Sequence, residues 1–198
     1  AGKSTLLNMI AHEEEGVQLA GSGKLGYFHQ DLSTLDKEKS ILENVGEESP
    51  YPETMIRTVL ARLLFKREDV FKPVGVLSGG ERVKVSLAKV FLGEYNILLL
   101  DEPTNYLDIF TQEELEGVLT AYPGTIVFAT HDRHLMNRLA DHVLVIEDEN
   151  AVFFEGNYEQ YVKNKGQSST DTDEQTILKL ENELAEVIGR LSMLQKED

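Results

Sequence analysis

LSGGERVKVSLAKVFLGEYNILLLDEPTNYLD, residues 77–108, is the stretch whose reading decides the fold. Its first part, Leu77-Ser78-Gly79-Gly80-Glu81, is a small-residue loop feeding a helix in which Val83, Leu87 and Phe91 recur every four residues until Gly93. Ser78 suits the N-cap of that helix, because its hydroxyl can accept a bond from an early backbone N–H. The glycine pair bares further N–H groups at the helix start, which makes an anion site by physics alone. Its last part, Ile97-Leu98-Leu99-Leu100, is apolar at every position and ends in Asp101-Glu102-Pro103. A run of that kind suits a strand buried on both faces of a parallel sheet. Acids at the carboxyl end of such a strand sit where open α/β sheets bind ligands.

Outward from this stretch, the whole chain sets bounds. Its 198 residues suffice for one domain with a subdomain or appendage and a real core. No apolar run approaches the ~20 residues of a membrane helix, and no signal-peptide pattern is present. The absence of cysteine excludes disulfides and thiolate metal sites and is compatible with a reducing cytoplasm. A net charge of −16 argues against a general grip on a nucleic-acid backbone, though not against local contacts.

Upstream, the chain opens Ala1-Gly2-Lys3-Ser4-Thr5 without an initiator Met. This matches the tail of the phosphate-binding loop G-x-x-x-x-G-K-[ST], so the chain reads as a fragment of a larger protein. Lys3 to about Ala11 predicts a helix with Leu6, Leu7 and Ile10 on one face. In a P-loop, Lys3 would reach the β- and γ-phosphates and the Ser4 hydroxyl would ligate Mg²⁺. Five residues of a longer motif leave a chance match open. Gly21-Ser22-Gly23 is a hairpin signal between short strand-like pieces of 17–30, and Gln30 follows them; a glutamine there is ordinarily a solvated loop residue.

Ser40 to Pro73 reads as helical, a short helix on Ile41, Leu42 and Val45 and a longer one on Ile56, Val59, Leu60, Leu63 and Leu64. Arg57, Arg62, Lys66 and Arg67 form the main basic cluster, read first as a solvated face and second as a contact surface. Beyond the opening stretch, Asp108 is a natural N-cap for a helix to about Ala121, which Pro123-Gly124 stop. Thr125 to Ala129 is a second apolar strand that delivers Thr130-His131-Asp132-Arg133 to the same sheet edge as Asp101 and Glu102, if both strands are parallel. Two strands, His142 to Glu147 and Ala151 to Phe154, and a short helix from Asn157 to Lys163 follow. Gly166 to Gln175 is polar and reads as a linker. Ile177, Leu180, Leu184, Val187, Leu191 and Leu194 then form an a/d seam, one amphipathic helix for a partner helix.

Moving a γ-phosphoryl group to water needs positioning and charge stabilisation more than covalent help. Two adjacent acids after a buried strand can divide that work, because successive side chains leave the backbone in different directions. Asp101 would hold Mg²⁺ and Glu102 would act as general base. The acid pair alone is weak; its combination with Gly2-Lys3-Ser4, Gln30, Ser78-Gly79-Gly80 and His131, in that order, is not a chance pattern.

Over residues 1 to about 147 the chain resembles the nucleotide-binding domain of ATP-binding cassette (ABC) proteins. Leu77-Ser78-Gly79-Gly80-Glu81 is similar to the signature loop, and Ile97 to Glu102 resembles the Walker B strand with its catalytic Glu. Gln30 falls at the Q-loop, Asp108 at the D-loop and His131 at the switch histidine. The resemblance implies an α/β P-loop NTPase of ABC type: a mostly parallel sheet core, an antiparallel β subdomain, a helical subdomain at about 40–76 and a C-terminal helical extension. Domains of 1–164 for the cassette, 165–175 for a linker and 176–198 for an amphipathic or coiled-coil helix follow. It implies ATP and Mg²⁺ as cofactors, with Gly2, Lys3, Ser4, Thr5, Ser78, Gly79, Gly80 and Asp108 on the nucleotide. Ser4, Gln30 and Asp101 would serve the metal, and Glu102, His131 and Gln30 the catalysis. In this family two cassettes pair head to tail, so Ser78, Gly79 and Gly80 would touch the γ-phosphate held by a second cassette, in the same chain or in a second copy.

Thr104-Asn105-Tyr106-Leu107-Asp108 is similar to the T-N-x-L-D run of the ABC-F branch, cytoplasmic proteins with two cassettes that act on ribosomes as translation or antibiotic-resistance factors. The Gly124–Phe128 strand, the Thr130–Arg133 run and Gly156-Asn157-Tyr158 look like that branch and its second cassette. Tyr106 stands where many members carry His, and Thr130 where many carry Ser. The expectation is an ATP-hydrolysing module of such a protein, without membrane insertion. The alternative is an ATP-binding subunit of a membrane ABC transporter, with 40–73 docking the membrane partner. Chromosome-maintenance ATPases share the signature loop but place a long coiled coil between the two halves of the site, for which the interval from Lys3 to Asp101 has no room.

Overall fold

A computed structural model describes residues 2–29, 32, 34–147 and 150–165 of the chain. Gln30, the expected linker beyond Lys165 and the expected helix at 176–198 lie outside these residues. The described part divides into two compact units. The larger holds 1–139 and 146–151; the smaller holds 140–145 and 152 onward.

The larger unit is built on a three-stranded parallel sheet in the order β1 (Leu25–Phe28), β2 (Ile97–Asp101), β3 (Thr125–Ala129). Register runs Leu25 to Ile97 to Thr125 at one end, and Asp101 faces Ala129 at the other. Asn96 organises the start of all this. Its side chain accepts from Lys24 N–H at 2.7 Å and donates to the Ser22 carbonyl at 2.8 Å, while its backbone carbonyl accepts from Thr125 N–H. The central position of β2 explains its wholly apolar sequence. Leu98 and Leu100 pack on one face and Leu99 on the other, all three fully buried. Burial of each contributes roughly 1.5–3 kcal/mol.

Helix α1 (Lys3–Ala11) covers one face by setting Leu7 against Leu99 and Ala129. The other face carries α4 (Gly79–Phe91), α5 (Ile109–Thr120) and α6 (Arg133–Leu139), through Val83, Leu87, Phe91, Leu115, Leu119 and Leu135. A separate helical cluster contains α2 (Ile41–Gly46) and α3 (Glu53–Arg62), followed by 3₁₀ turns at Asp69–Phe71 and Val74–Val76. Its core joins Ile41, Val45, Leu60 and Val74 to Val85, Ala88 and Leu92 of the α4 region. Helix α4 is therefore apolar on two sides, one for the sheet and one for the helical cluster. It ties them together.

Two sequence expectations change. No strand forms over 17–20; Gly23 N–H instead bonds Ala20 O at 2.7 Å in a turn, and only β1 follows it. Helix α3 stops at Arg62 rather than continuing through Leu64, which adopts φ 65 and is exposed. The expected apolar strand β3 forms and is half exposed, since β2 is its one partner among the described residues. Helix α6 was not foreseen.

In the hairpin that follows, β4 (His142–Glu147) pairs with β5 (Asn150–Glu155) as an antiparallel two-stranded sheet. In the smaller unit His142 stacks on Phe153 with ring centroids 5.4 Å apart. A helix over 158–165 begins with Asn157 and Gln160 capping each other reciprocally at 2.9 and 3.0 Å.

Candidate active site

The carboxyl edge of the parallel sheet gathers side chains from three distant segments. Strand β2 ends at Asp101 and is followed by Glu102, β3 ends at Ala129 and is followed by Thr130 and His131, and the first residue of α1 is Lys3. Glu102 leaves the strand with φ 49, a conformation uncommon for a side-chain-bearing residue. Such backbone costs on the order of 1–3 kcal/mol and persists only where the surroundings hold it. Here the Glu102 N–H donates to Ala129 O at 2.8 Å, anchoring the turn to β3.

The carboxylate so placed is largely enclosed, its side chain 14% exposed. Lys3 Nζ donates to Glu102 Oε1 at 3.1 Å, and the His131 backbone N–H donates to Glu102 Oε2 at 3.2 Å. Lys3 Nζ also stands 2.9 Å from His131 Nε2 and 3.5 Å from Thr130 O. An ammonium has no lone pair, so in this contact Lys3 donates and His131 Nε2 accepts. One ammonium thus bridges a carboxylate, an imidazole and a carbonyl. The imidazole itself is 85% exposed, free to reorient toward a ligand.

Asp101 is different. It is buried, and its Oδ1 has no hydrogen-bond partner among the described residues. A buried carboxylate oxygen left so is costly, about 1–3 kcal/mol or more for a charged group, unless something absent from the protein fills the place. A cation fits. No group of three or more His, Asp or Glu that could hold a metal occurs among the described residues. Mg²⁺, which takes one or two carboxylates and completes its shell with water and phosphate oxygens, matches a single acid of this kind.

At the start of α1, Gly2 adopts φ 96 as the N-cap, and Leu6 N–H bonds Gly2 O at 2.9 Å. Ser4 and Thr5 are exposed in the first turn, where no side chain caps the helix, so its N–H dipole end is open to an anion.

The signature stretch lies elsewhere on the unit and satisfies itself. Ser78 N–H donates to Glu81 Oε2 at 2.8 Å, Ser78 Oγ donates to the same oxygen at 2.7 Å, and Glu81 N–H donates back to Ser78 Oγ at 3.3 Å. The Ser78 hydroxyl and N–H hold the Glu81 carboxyl below its ordinary pKa. Gly80 approaches the loop after Glu102: a Cβ there would sit 2.9 Å from Tyr106 O. A Cβ at Gly79 would meet nothing within 4 Å among the described residues. Asp108 caps α5 through Thr111 N–H at 3.1 Å and the Thr111 hydroxyl at 2.7 Å, which lowers its pKa.

The structure therefore brings together Lys3, Glu102 and His131, and places Asp101 next in the chain. It joins Gly80 to the Tyr106 backbone, and it makes no hydrogen bond between Ser78–Gly80 and the Lys3–Glu102–His131 cluster among the described residues. Sequence reasoning missed the part of Thr130, whose carbonyl faces Lys3 and whose hydroxyl accepts from Asp132 N–H at 3.0 Å. Its signal was a hydroxyl one residue past the strand end.

Several known proteins are similar to this chain. The ABC transporter family model matches residues 1–105. The energy-dependent translational throttle protein EttA of Escherichia coli K12 is 40% identical over 175 residues, covering 83% of this chain and 32% of EttA. The ribosome protection protein VmlR of Bacillus subtilis is 34% identical over 201 residues, covering all of this chain and 35% of VmlR. The chain spans between about a quarter and about a third of the length of the curated relatives it matches. Among solved structures, a metal-chelate type ABC transporter in an inward-facing conformation superposes with a TM-score of 0.60 at 24% identity, over 78% of this chain and 68% of that one; this likeness concerns the fold.

Proposed function

The chain belongs to the ATP-binding cassette family, its curated relatives being ABC-F proteins, and on that premise we propose that it is the ATP-hydrolysing module of an ABC-F type protein acting on the ribosome. The single observation that carries the chemistry is the convergence of Lys3 Nζ, the Glu102 carboxylate and His131 Nε2 within 3.6 Å. Without nucleotide, the ammonium neutralises the carboxylate. Phosphates at the start of α1 compete for Lys3, and its departure frees Glu102 to accept a proton from an attacking water. His131, exposed, turns a ring N–H to the γ-phosphate, to which Gly2, Ser4 and Thr5 also offer N–H and hydroxyl groups. Asp101 and Ser4, with Gln30 as a further ligand, would hold Mg²⁺, which would supply neutralisation of the phosphate charge.

Ser78, Gly79 and Gly80 serve the nucleotide of a second cassette, because their bonds within this chain are local and Gly79 faces open space. Asp108 lies in the same loop as Tyr106, against which Gly80 rests, and transmits pairing to the acids. We assign residues 1–164 to the cassette; the linker expected at 165–175, beyond Lys165, and the helix expected at 176–198 lie outside the described residues. The names of EttA and VmlR, rather than that of the transporter of similar fold, support ribosome action in the cytoplasm. No helix among the described residues is long and apolar enough to cross a membrane.

Glu102→Gln in the full-length protein is the test. The amide keeps the shape and loses the base, so ATP turnover falls about 10²–10⁴-fold. The ATP-loaded variant then co-sediments with ribosomes. Retained turnover overturns Glu102 as base; loss of turnover without ATP-dependent co-sedimentation overturns the ribosome reading alone.

A further inference from the structure

The helical cluster carries a basic patch of its own. Residues 57–67, RTVLARLLFKR, carry four cations and no acid in a chain of net charge −16. In the structure they line a groove of about 1010 Å³ at the end of α3 and the turn Asp69–Phe71. Arg62, Lys66 and Arg67 make no ion pair among the described residues and are exposed. Arg57 behaves differently. Its Nε donates to Glu53 Oε1 at 2.7 Å, and its guanidinium lies 4.9 Å from the centroid of the Phe71 ring. Held from both sides, it stiffens a flat cationic platform whose ring is still 63% exposed. Two acids, Glu68 and Glu114, also line the groove, so its cations remain in excess.

We propose that this groove binds a single-stranded RNA segment, with phosphates on Arg62, Lys66 and Arg67 and a base stacked on the free face of Phe71, a proposal that rests on the ribosome reading. Charge selects a polyanion, since unpaired long cations clustered on an acidic chain are the footprint of phosphate contacts. The platform chooses between polyanions. A base has a π-face for an exposed ring and guanidinium to stack against, and stacking of this kind is sequence-tolerant. An acidic peptide offers carboxylates for the cations but nothing flat for Phe71.

The experiment uses the full-length protein and a fluorescein-labelled oligouridylate, with affinity read by anisotropy over a series of KCl concentrations. Arg62→Glu/Lys66→Glu/Arg67→Glu is expected to weaken binding about tenfold or more, and to reduce the slope of log K against log salt by about 2, since each single-strand phosphate contact contributes ~0.7. Phe71→Ala weakens binding roughly tenfold and leaves the slope unchanged, because stacking releases no counterions. Milder Arg62→Gln/Lys66→Gln/Arg67→Gln shows the same sign, and thermal melts with ATP turnover report that each variant is folded. The proposal is overturned if RNA affinity is the same in all variants, or if labelled polyglutamate binds the unmutated protein as tightly as RNA. Loss of RNA binding in the variants of a protein that never co-sediments with ribosomes keeps the groove and removes the ribosome reading. Ribosome association with groove-independent RNA binding removes the groove alone.

Discussion

Two helices of this molecule begin with the same device and differ in what fills its middle. Ser40-Ile41-Leu42-Glu43 opens α2 and Ser78-Gly79-Gly80-Glu81 opens α4. Both are complete capping boxes: the serine N–H reaches the glutamate at 2.8 Å in each, and the return bonds measure 3.2 and 3.3 Å. In α2 the middle residues pay the usual way, Ile41 being wholly buried in the helical core. In α4 the middle is two glycines, which bury no side chain and are poor helix formers. The cap is therefore not what distinguishes the signature stretch. Its glycines are, and the structure gives them separate reasons: Gly80 avoids Tyr106 O, whereas Gly79 avoids nothing among the described residues.

That difference breaks most sharply at Gly79. The methyl group of alanine there meets nothing within 4 Å among the described residues and, as a better helix former, alanine raises stability by up to about 1 kcal/mol. If a phosphate on the paired cassette approaches this backbone, a methyl group holds it off, and a displacement near 1 Å costs about 100-fold. Gly79→Ala in the full-length protein is thus expected to melt no lower than the unmutated protein while its ATP turnover collapses about 100-fold. Unchanged turnover would reduce the signature stretch to a second ordinary cap.

Gly80 gives the opposite signature. A Cβ at 2.9 Å from a backbone carbonyl requires the 102–108 loop or the first turn of α4 to move. Overpacking of that kind costs about 1–3 kcal/mol. Gly80→Ala is expected to lower the melting temperature by a few degrees, seen by calorimetry, and to disturb the acids through the same loop. Equal melting of the two alanine variants would mean that the glycines share one role.

The contrast also shows what could be read in advance. Ser78 as a cap, the buried run of β2 and the shared edge of Asp101, Glu102 and His131 were legible, because capping and parallel-strand burial are local in sequence and fixed in geometry. The lysine bridge from Lys3 to Glu102 and His131 was not, since it depends on φ at Glu102 and on where α1 lands across the sheet. Helix α6 had a signal that was spent elsewhere: Asp132, beside the histidine, accepts from His134 and Leu135 N–H at 2.9 and 3.2 Å as an N-cap, and Leu135 is fully buried. The stop of α3 at Arg62 was hidden too, because Leu63 and Leu64 continue the apolar stripe while only Leu63 enters the core.

The serines test the comparison one step lower. Ser40→Ala and Ser78→Ala remove equivalent hydroxyls and should each cost about 1 kcal/mol in denaturant unfolding. Only Ser78→Ala should also reduce ATP turnover, because only that hydroxyl stands beside bare glycines. Equal kinetics from both would place the whole contribution of Ser78 in folding.

Acid should affect the two caps alike, and by the least. Glu43 and Glu81 are both held below their ordinary pKa, first by the hydroxyl of the capping serine and then by its N–H. A carboxyl with a depressed folded pKa adds stability that is fully present above its unfolded value, near 4.5, and that is lost as pH falls through the folded one. The caps therefore hold at neutral pH and weaken below about pH 4.5. Gln keeps an oxygen for the serine but does not titrate, so Glu43→Gln/Glu81→Gln should begin slightly less stable at neutral pH and lose less on acidification. Melting temperature followed from neutral pH to pH 3 reads the difference. Parallel curves for the double variant and the unmutated protein would move the acid sensitivity to other carboxylates, such as Asp108, whose pKa the Thr111 hydroxyl depresses in the same way.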